Sequence, residues 1–253
     1  MESKTIPKHC ILTREAIKFI AILAMTLNHF AVCFWEPEQP LYYIFVYIGY
    51  FTAVTMCCFL VEGYHHTRSK KKYGTRLLVF ALLSQVPFDL AFSRGKMPEF
   101  QGLNMLFTLF LCFLALAAME YIRDRNLKIL AVFILTAASS WSDWGILAPL
   151  FVLIFEKSYG SARKTAAGFL LAALLDWLLA FAGEMPYGNP GNIARGALMA
   201  LENCAGILAA GVVMVLFYNG KKSGQGGKFS KWFFYLFYPL HLLLFGLIRI
   251  SLI

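Results

Sequence analysis

Charge is scarce in this chain: 15% of its 253 residues are Asp, Glu, Lys or Arg, against 59% hydrophobic. An average soluble protein is about a quarter charged, so a water-facing surface is excluded and the apolar excess has to face lipid. The expectation is one all-α domain over residues 1–253, a polytopic helical bundle. No cleavable leader is recognisable, because the N-terminus is polar until Ile17 and the run that follows leads straight into further apolar segments. CxxC spacing is missing. The six cysteines, Cys10, Cys33, Cys57, Cys58, Cys112 and Cys204, form no tight group with histidine and mostly lie inside apolar runs. They read as core thiols rather than disulfides or ligands, and no metal is expected. No internal repeat is clear enough to suggest a transporter built from two halves. The net charge of +9 is confined to short stretches and forms no continuous face, so no nucleic-acid partner is expected.

What is present is a series of long apolar stretches: Ile17–Trp35, Tyr42–Val61, Leu77–Phe92, Leu103–Tyr121, Leu127–Ser139, Trp144–Phe155, Thr165–Ala182, Ala197–Phe217 and Trp232–Ile250. They predict about nine spans, eight to ten, most near the ~20 residues that a bilayer core requires. The fifth and sixth are short and are expected to be tilted, sunk among other helices or re-entrant. Alternate connections carry the positive charge: Lys4, Lys8 and Arg14; Arg68, Lys70–Lys72 and Arg76; Arg123, Arg125 and Lys128; Lys157, Arg163 and Lys164; Lys221, Lys222, Lys228 and Lys231. By the positive-inside rule these face the cytoplasm, with the N-terminus inside and the C-terminus outside. The connections holding Glu36 and Glu38, Arg94, Lys96 and Glu99, Asp143, and Glu184 and Arg195 face outward. Gly224, Gly226 and Gly227 predict a flexible last cytoplasmic loop.

Ionisable and polar groups inside spans are costly, which makes each a candidate for function. Lys18 and His29 are eleven positions apart on nearly one helical face, separated by ~16 Å along the axis. Lys18 can therefore sit near the cytoplasmic surface while His29 works deep in the membrane. Asn28 points about 100° away from His29 and suits orienting a partner. The turn Glu62-Gly63-Tyr64-His65-His66-Thr67-Arg68, continued by Lys70–Lys72, Tyr73 and Arg76, suits phosphate groups, although positive-inside anchoring accounts for the lysines equally well and Glu62 and Arg76 are able to pair across it. Gln85, Pro87 and Asp89 interrupt the third span, and Asn104 and Thr108 lie one turn apart in the fourth. Asp143, Asp176, Glu202, Asn203 and His241 complete the set, with Pro239 predicting a kink beside His241.

Five blocks, LTREAIKFIAILAMTLNHF, LVEGYHHTRSKKKYGTRLLVFALLSQVPFDLAF, LNMLFTL, WSDWGIL and KWFFYLFYPLHLLLFGLI, resemble successive blocks of the TraX family. The resemblance runs in order over most of the chain and is weakest between about Ser158 and Ser230. It implies a membrane acetyltransferase, since a member of that family acetylates the amino terminus of a conjugative pilin and the family is similar to larger groups of acyl-CoA-dependent membrane acyltransferases. Among those, sugar O-acyltransferases carry a basic residue, ten intervening residues and a histidine in the first helix, a spacing that Lys18-x10-His29 matches. Many TraX-like sequences have aspartate just before this histidine, where this chain has Asn28, so a carboxylate would have to come from Asp89 or Asp143 on another helix.

The resemblance further implies acetyl-CoA as the acyl donor, its phosphates near Lys18, Arg68 and Arg76 among the basic residues and aromatics of the His65, His66 and Tyr73 turn, its thioester at the level of His29. His29 would act as general base or become transiently acetylated, His241 as second acid/base or polariser of the carbonyl, and Asn28 or Asn104 as oxyanion donors. The acceptor, a peptide amine, amino sugar or small metabolite, would enter from the outer side near Asp89, Asn104 and Asp143. A bacterial cytoplasmic membrane is the expected location. Two other classes stay open: a transporter of a small polar solute, and a noncatalytic partner in an envelope or secretion assembly.

Overall fold

Helix starts are written into the polar residues that flank the apolar runs. Thr13 accepts a hydrogen bond from Ala16 N–H, Ser69 from Lys72, Asn104 from Leu106 and Asp124 from Leu127, each satisfying an amide that the first helical turn leaves open. The computed structural model describes residues 10–184, 190–221 and 227–252. Among them are nine α-helices and no strand: α1 (Arg14–Phe34), α2 (Tyr42–His66), α3 (Lys70–Phe92), α4 (Met105–Tyr121), α5 (Arg125–Ala138), α6 (Leu147–Ser158), α7 (Ala162–Glu184), α8 (Pro190–Val212) and α9 (Gly227–Leu252). Six of them, α1, α2, α3, α7, α8 with its π-helical extension to Phe217, and α9, are long and apolar enough to cross a membrane. α4 is apolar over 17 residues. α5 and α6, with 14 and 12 residues, rise only ~21 and ~18 Å, short of the ~30 Å hydrocarbon core.

Long-range contacts define two ends. At one, Leu12 bridges Tyr218, Tyr64 and Lys70 both bond Glu120, and His65 Nε2 meets Glu156 at 2.9 Å. At the other, Leu103 bridges Ser142, Gln85 bonds the Gly102 carbonyl at 2.8 Å, and Arg249 ties α9 to the carbonyls of Leu90 and Gly95 at 3.1 and 2.8 Å. Consecutive helices therefore alternate in direction, and the clusters of basic residues collect at the first end. The expected connection around Gly224 and Gly226 lies outside the described residues, as do Lys4, Lys8 and Lys222. Arg195, expected in an outward connection, instead belongs to α8, which starts at Pro190.

Five helices close a ring: α1 packs on α2, α2 on α4, α4 on α3, α3 on α9 and α9 on α1. α6 and α8 cover the outside of α2, and α7 packs on both. The α2–α8 crossing is close because position 206 is glycine; a Cβ there would stand 2.4 Å from the Tyr47 carbonyl oxygen. α5 packs chiefly on α4 and buries none of its residues. The apolar core centres on α2, with Val54, Leu60 and Val61 packed against Phe113, Phe151 and Ile207. The ring holds the cavity described next; His29 on α1 lines it, and His241 on α9 is bonded to His29.

Candidate active site

His29 and His241, 212 positions apart, are joined through their rings: His29 Nδ1 lies 2.8 Å from His241 Nε2, with the ring planes 6° apart. His241 Nδ1 lies 2.8 Å from the Phe237 carbonyl oxygen one turn earlier in α9. A carbonyl oxygen can only accept, so His241 Nδ1 carries a proton and its Nε2, in the neutral ring, offers a lone pair. His29 Nδ1 must then donate to it, which leaves His29 Nε2 as a basic nitrogen. The tautomers of both rings follow from one backbone oxygen. Phe92 sets its edge against His29 and Phe237 stacks on His241, holding both rings in orientation.

His29 lines a cavity of about 800 Å³ that runs inside the ring of five helices. At its basic end the walls carry Arg14, Lys18, Arg68 and Arg76; at the other they carry Gln101, Asp143, Trp144 and Tyr238. Arg14 is buried, with Nη2 3.5 Å from Glu62 Oε1 and 3.4 Å from the Phe59 carbonyl. The buried Nε atoms of Arg14 and Arg76 have no hydrogen-bond partner among the described residues. A buried guanidinium N–H left unbonded costs free energy, and an anionic ligand in the cavity would satisfy it. Lys18 sits over the Phe59 and Phe234 rings, at 5.8 and 5.1 Å. Tyr73 lies under Arg76, the guanidinium 5.6 Å from its ring. Glu62 pairs with Arg14 and accepts from Tyr218, so the alternative of a Glu62–Arg76 pair is not the one formed.

The TraX protein family model matches residues 13–249, a stretch that includes all of the ring but the last turn of α9, both histidines and all the cavity residues just named. The chain belongs to the TraX family. It is 34% identical over 235 residues to a protein of Dichelobacter nodosus described as probable fimbrial assembly protein FimC, serogroup H1, covering 90% of this chain and 92% of that one. No solved structure matches. With six helices of spanning length, this TraX-family chain is an integral membrane protein.

The remaining polar residues that the TraX resemblance singles out divide between cavity and scaffold. His66 lines the cavity, its Nε2 3.3 Å from the Tyr159 hydroxyl, whereas His65 turns to Glu156 and stacks on Tyr159 without lining it. Asn28 lines the cavity, but its Nδ2 donates to the Val46 carbonyl at 2.9 Å and so ties α1 to α2. Gly49 makes room for it, since a Cβ there would stand 2.5 Å from Asn28 Nδ2. Asn104 is wholly buried: Nδ2 donates to Ala81 O and Gln85 Oε1 at 2.8 and 3.0 Å, and Oδ1 caps α4. Asp89 Oδ1 accepts from Gln85 Nε2 and Gln101 N, both at 3.0 Å. Asn104 and Asp89 fasten α3 to the loop before α4 and do not line the cavity, so neither is brought to His29.

Asp143 does face the cavity. Its turn is pinned by Asp143 N to Leu103 O at 2.7 Å and by Thr108 Oγ1 to Asp143 O at 2.5 Å, and Trp144 adopts a left-handed φ of 59°. Such a conformation is strained for a tryptophan and is found where surrounding contacts hold a residue at a site. Burial pushes the Asp143 carboxyl from 3.8 up to about 6. The folded protein thus binds this proton more tightly than the unfolded chain, so the carboxylate costs stability as pH rises above 3.8, in full above about 6. Asp143→Asn is expected to stabilise the protein at pH 7.5, by at most about 3 kcal/mol less the share that solvent screens, and to give no gain at pH 3.5. Melting curves of solubilised protein at the two pH values check this; an equal change at both would remove the carboxylate as its cause.

Arg14 and Tyr238 belong to the cavity although the sequence singles out neither. Arg14 reads as one more positive-inside residue. Tyr238 reads as part of an aromatic run; its signal was its place three residues before His241, close to one helical turn.

Proposed function

We propose that this TraX-family chain is a membrane-embedded acetyltransferase. It moves an acetyl group from cytoplasmic acetyl-CoA to an amine or hydroxyl acceptor at or near the outer side of a bacterial cytoplasmic membrane. The observation that carries this reading is the fixed tautomer of His29: a basic Nε2 in the wall of a cavity whose mouth is lined by arginines with unbonded N–H groups. In this reading all nine helices cross, α5 and α6 with tilt or local thinning of the bilayer, and the basic end is cytoplasmic, with the N-terminus inside.

The donor's phosphates meet Arg14, Arg68 and Arg76, and its arm follows the apolar wall of Ile22, Met25 and Met56 over the ~16 Å between Lys18 and His29. The acceptor comes from the Asp143 side. As its nitrogen or oxygen attacks the thioester carbonyl, His29 Nε2 takes its proton, and the resulting imidazolium is held by the bond from Nδ1 to His241. Collapse of the tetrahedral intermediate breaks the C–S bond, the thiolate regains the proton from His29, and acetylated acceptor and coenzyme thiol leave. His241 acts through His29, as a positioning residue.

The relative's description as a probable fimbrial assembly protein supports an acceptor that belongs to a surface appendage. It also favours a second reading, a noncatalytic assembly partner, in which the cavity binds no acyl donor. Calorimetry with acetyl-CoA on the detergent-purified protein separates the two. Binding is expected, weakened about tenfold by Arg76→Ala and again by Arg68→Ala. A folded wild type that binds no acetyl-CoA overturns the acetyltransferase reading.

A further inference from the structure

The two side-chain amides first suited to an oxyanion are engaged elsewhere, Asn28 on Val46 and Asn104 on Ala81 and Gln85. A thioester carbonyl beside His29 still needs a donor, because charge develops on its oxygen as the acceptor attacks. Tyr238 is the group left over. It is 6% exposed, lines the same cavity, and its ring centroid is 6.3 Å from that of His29. Its hydroxyl is buried without a hydrogen-bond partner among the described residues.

On the wall of the same cavity are Met105, the first residue of α4, and Asp143. Met105 N–H is the first of α4. The next two amides are capped, Leu106 by Asn104 Oδ1 and Phe107 by Asn104 O, and that cap does not take Met105. A phenol hydroxyl without a partner among the described residues can turn its O–H toward a ligand in the cavity. The positive end of the α4 dipole lies on that same wall, at Met105.

We propose that Tyr238 is a catalytic residue whose hydroxyl, backed by the α4 N-terminus at Met105, hydrogen-bonds the acetyl carbonyl of the donor and stabilises the oxyanion. The inference rests on the acetyltransferase reading and adds the group that polarises the donor. Oxyanion donors of this kind contribute about 10²–10³ in rate. The hydroxyl's missing partner then has a reason: it is kept for the ligand. Removing an unsatisfied buried hydroxyl does not destabilise a fold, so Tyr238→Phe is expected to leave the melting temperature unchanged or raised, which a structural hydroxyl would not.

The test is difference infrared spectroscopy of acetyl-CoA carrying ¹³C at the acetyl carbonyl, bound to the full chain in detergent. The carbonyl band is expected to move to lower wavenumber on binding, to keep that shift in His29→Ala, and to lose it in Tyr238→Phe with affinity within about threefold. A band that does not move on binding, or that stays shifted in Tyr238→Phe, overturns the role of Tyr238 and leaves the acetyltransferase reading standing. A folded wild type that binds no acetyl-CoA overturns both.

Discussion

His29→Ala is expected to lower acetyl transfer roughly a thousandfold while acetyl-CoA binds within about threefold of wild type. The argument is one of place and protonation. His29 Nε2 is the nitrogen left basic by the bonds that fix both rings, whereas Arg14 is fifteen positions away on α1, about four helical turns, and Arg68 and Arg76 line the cavity's basic end with it. Removing the imidazole deletes the proton acceptor without touching the donor's charged end. Added imidazole is expected to restore part of the lost rate, since the deletion leaves a gap in the cavity wall. Transfer at the wild-type rate by His29→Ala, measured with its native acceptor, would sink the assignment; loss of donor binding together with activity would move His29 from chemistry to binding.

His241→Phe is expected to cost about a hundredfold, with donor affinity unchanged. Phenylalanine keeps the ring and its stacking on Phe237 but removes the lone pair that receives the His29 Nδ1 proton. Both His29 tautomers then become available, and the imidazolium formed during transfer loses its partner. His241→Gln, whose amide oxygen accepts, is expected to retain more of the rate than His241→Phe. Because the two rings act as one unit, the double variant His29→Ala, His241→Phe is expected to be no slower than His29→Ala alone. Additive losses would show that His241 has a separate task.

Much of this was legible in the chain. The scarcity of charge and the alternation of basic and apolar stretches predict an all-helical membrane protein and locate its nine described helices, with starts up to seven residues late where polar residues open α3 and α8. Lys18 and His29 follow from spacing on a single helix, a local property. The His29–His241 bond does not, since it depends on how α1 and α9 pack across more than two hundred intervening residues. Asn104, Asp89 and His65 show the converse difficulty. A polar side chain near the end of an apolar run looks the same in sequence whether it faces a cavity, caps the next helix or pairs on the surface. Arg14 and Tyr238 were hidden because each has an ordinary reason to be where it is, topology for one and an aromatic run for the other.

The relay from His29 ends on a backbone oxygen rather than on a carboxylate. An aspartate in that place would install a permanent negative charge in the membrane interior, costing several kcal/mol and attracting a proton to offset it. With Phe237 O as terminus, the pair carries no net charge between turnovers. It therefore exerts no standing pull on protons from either face of the membrane. In the proposed transfer a proton picked up at His29 would have the departing thiolate as its exit, and acid–base chemistry would then run inside the bilayer without opening a leak for the ion gradient across it.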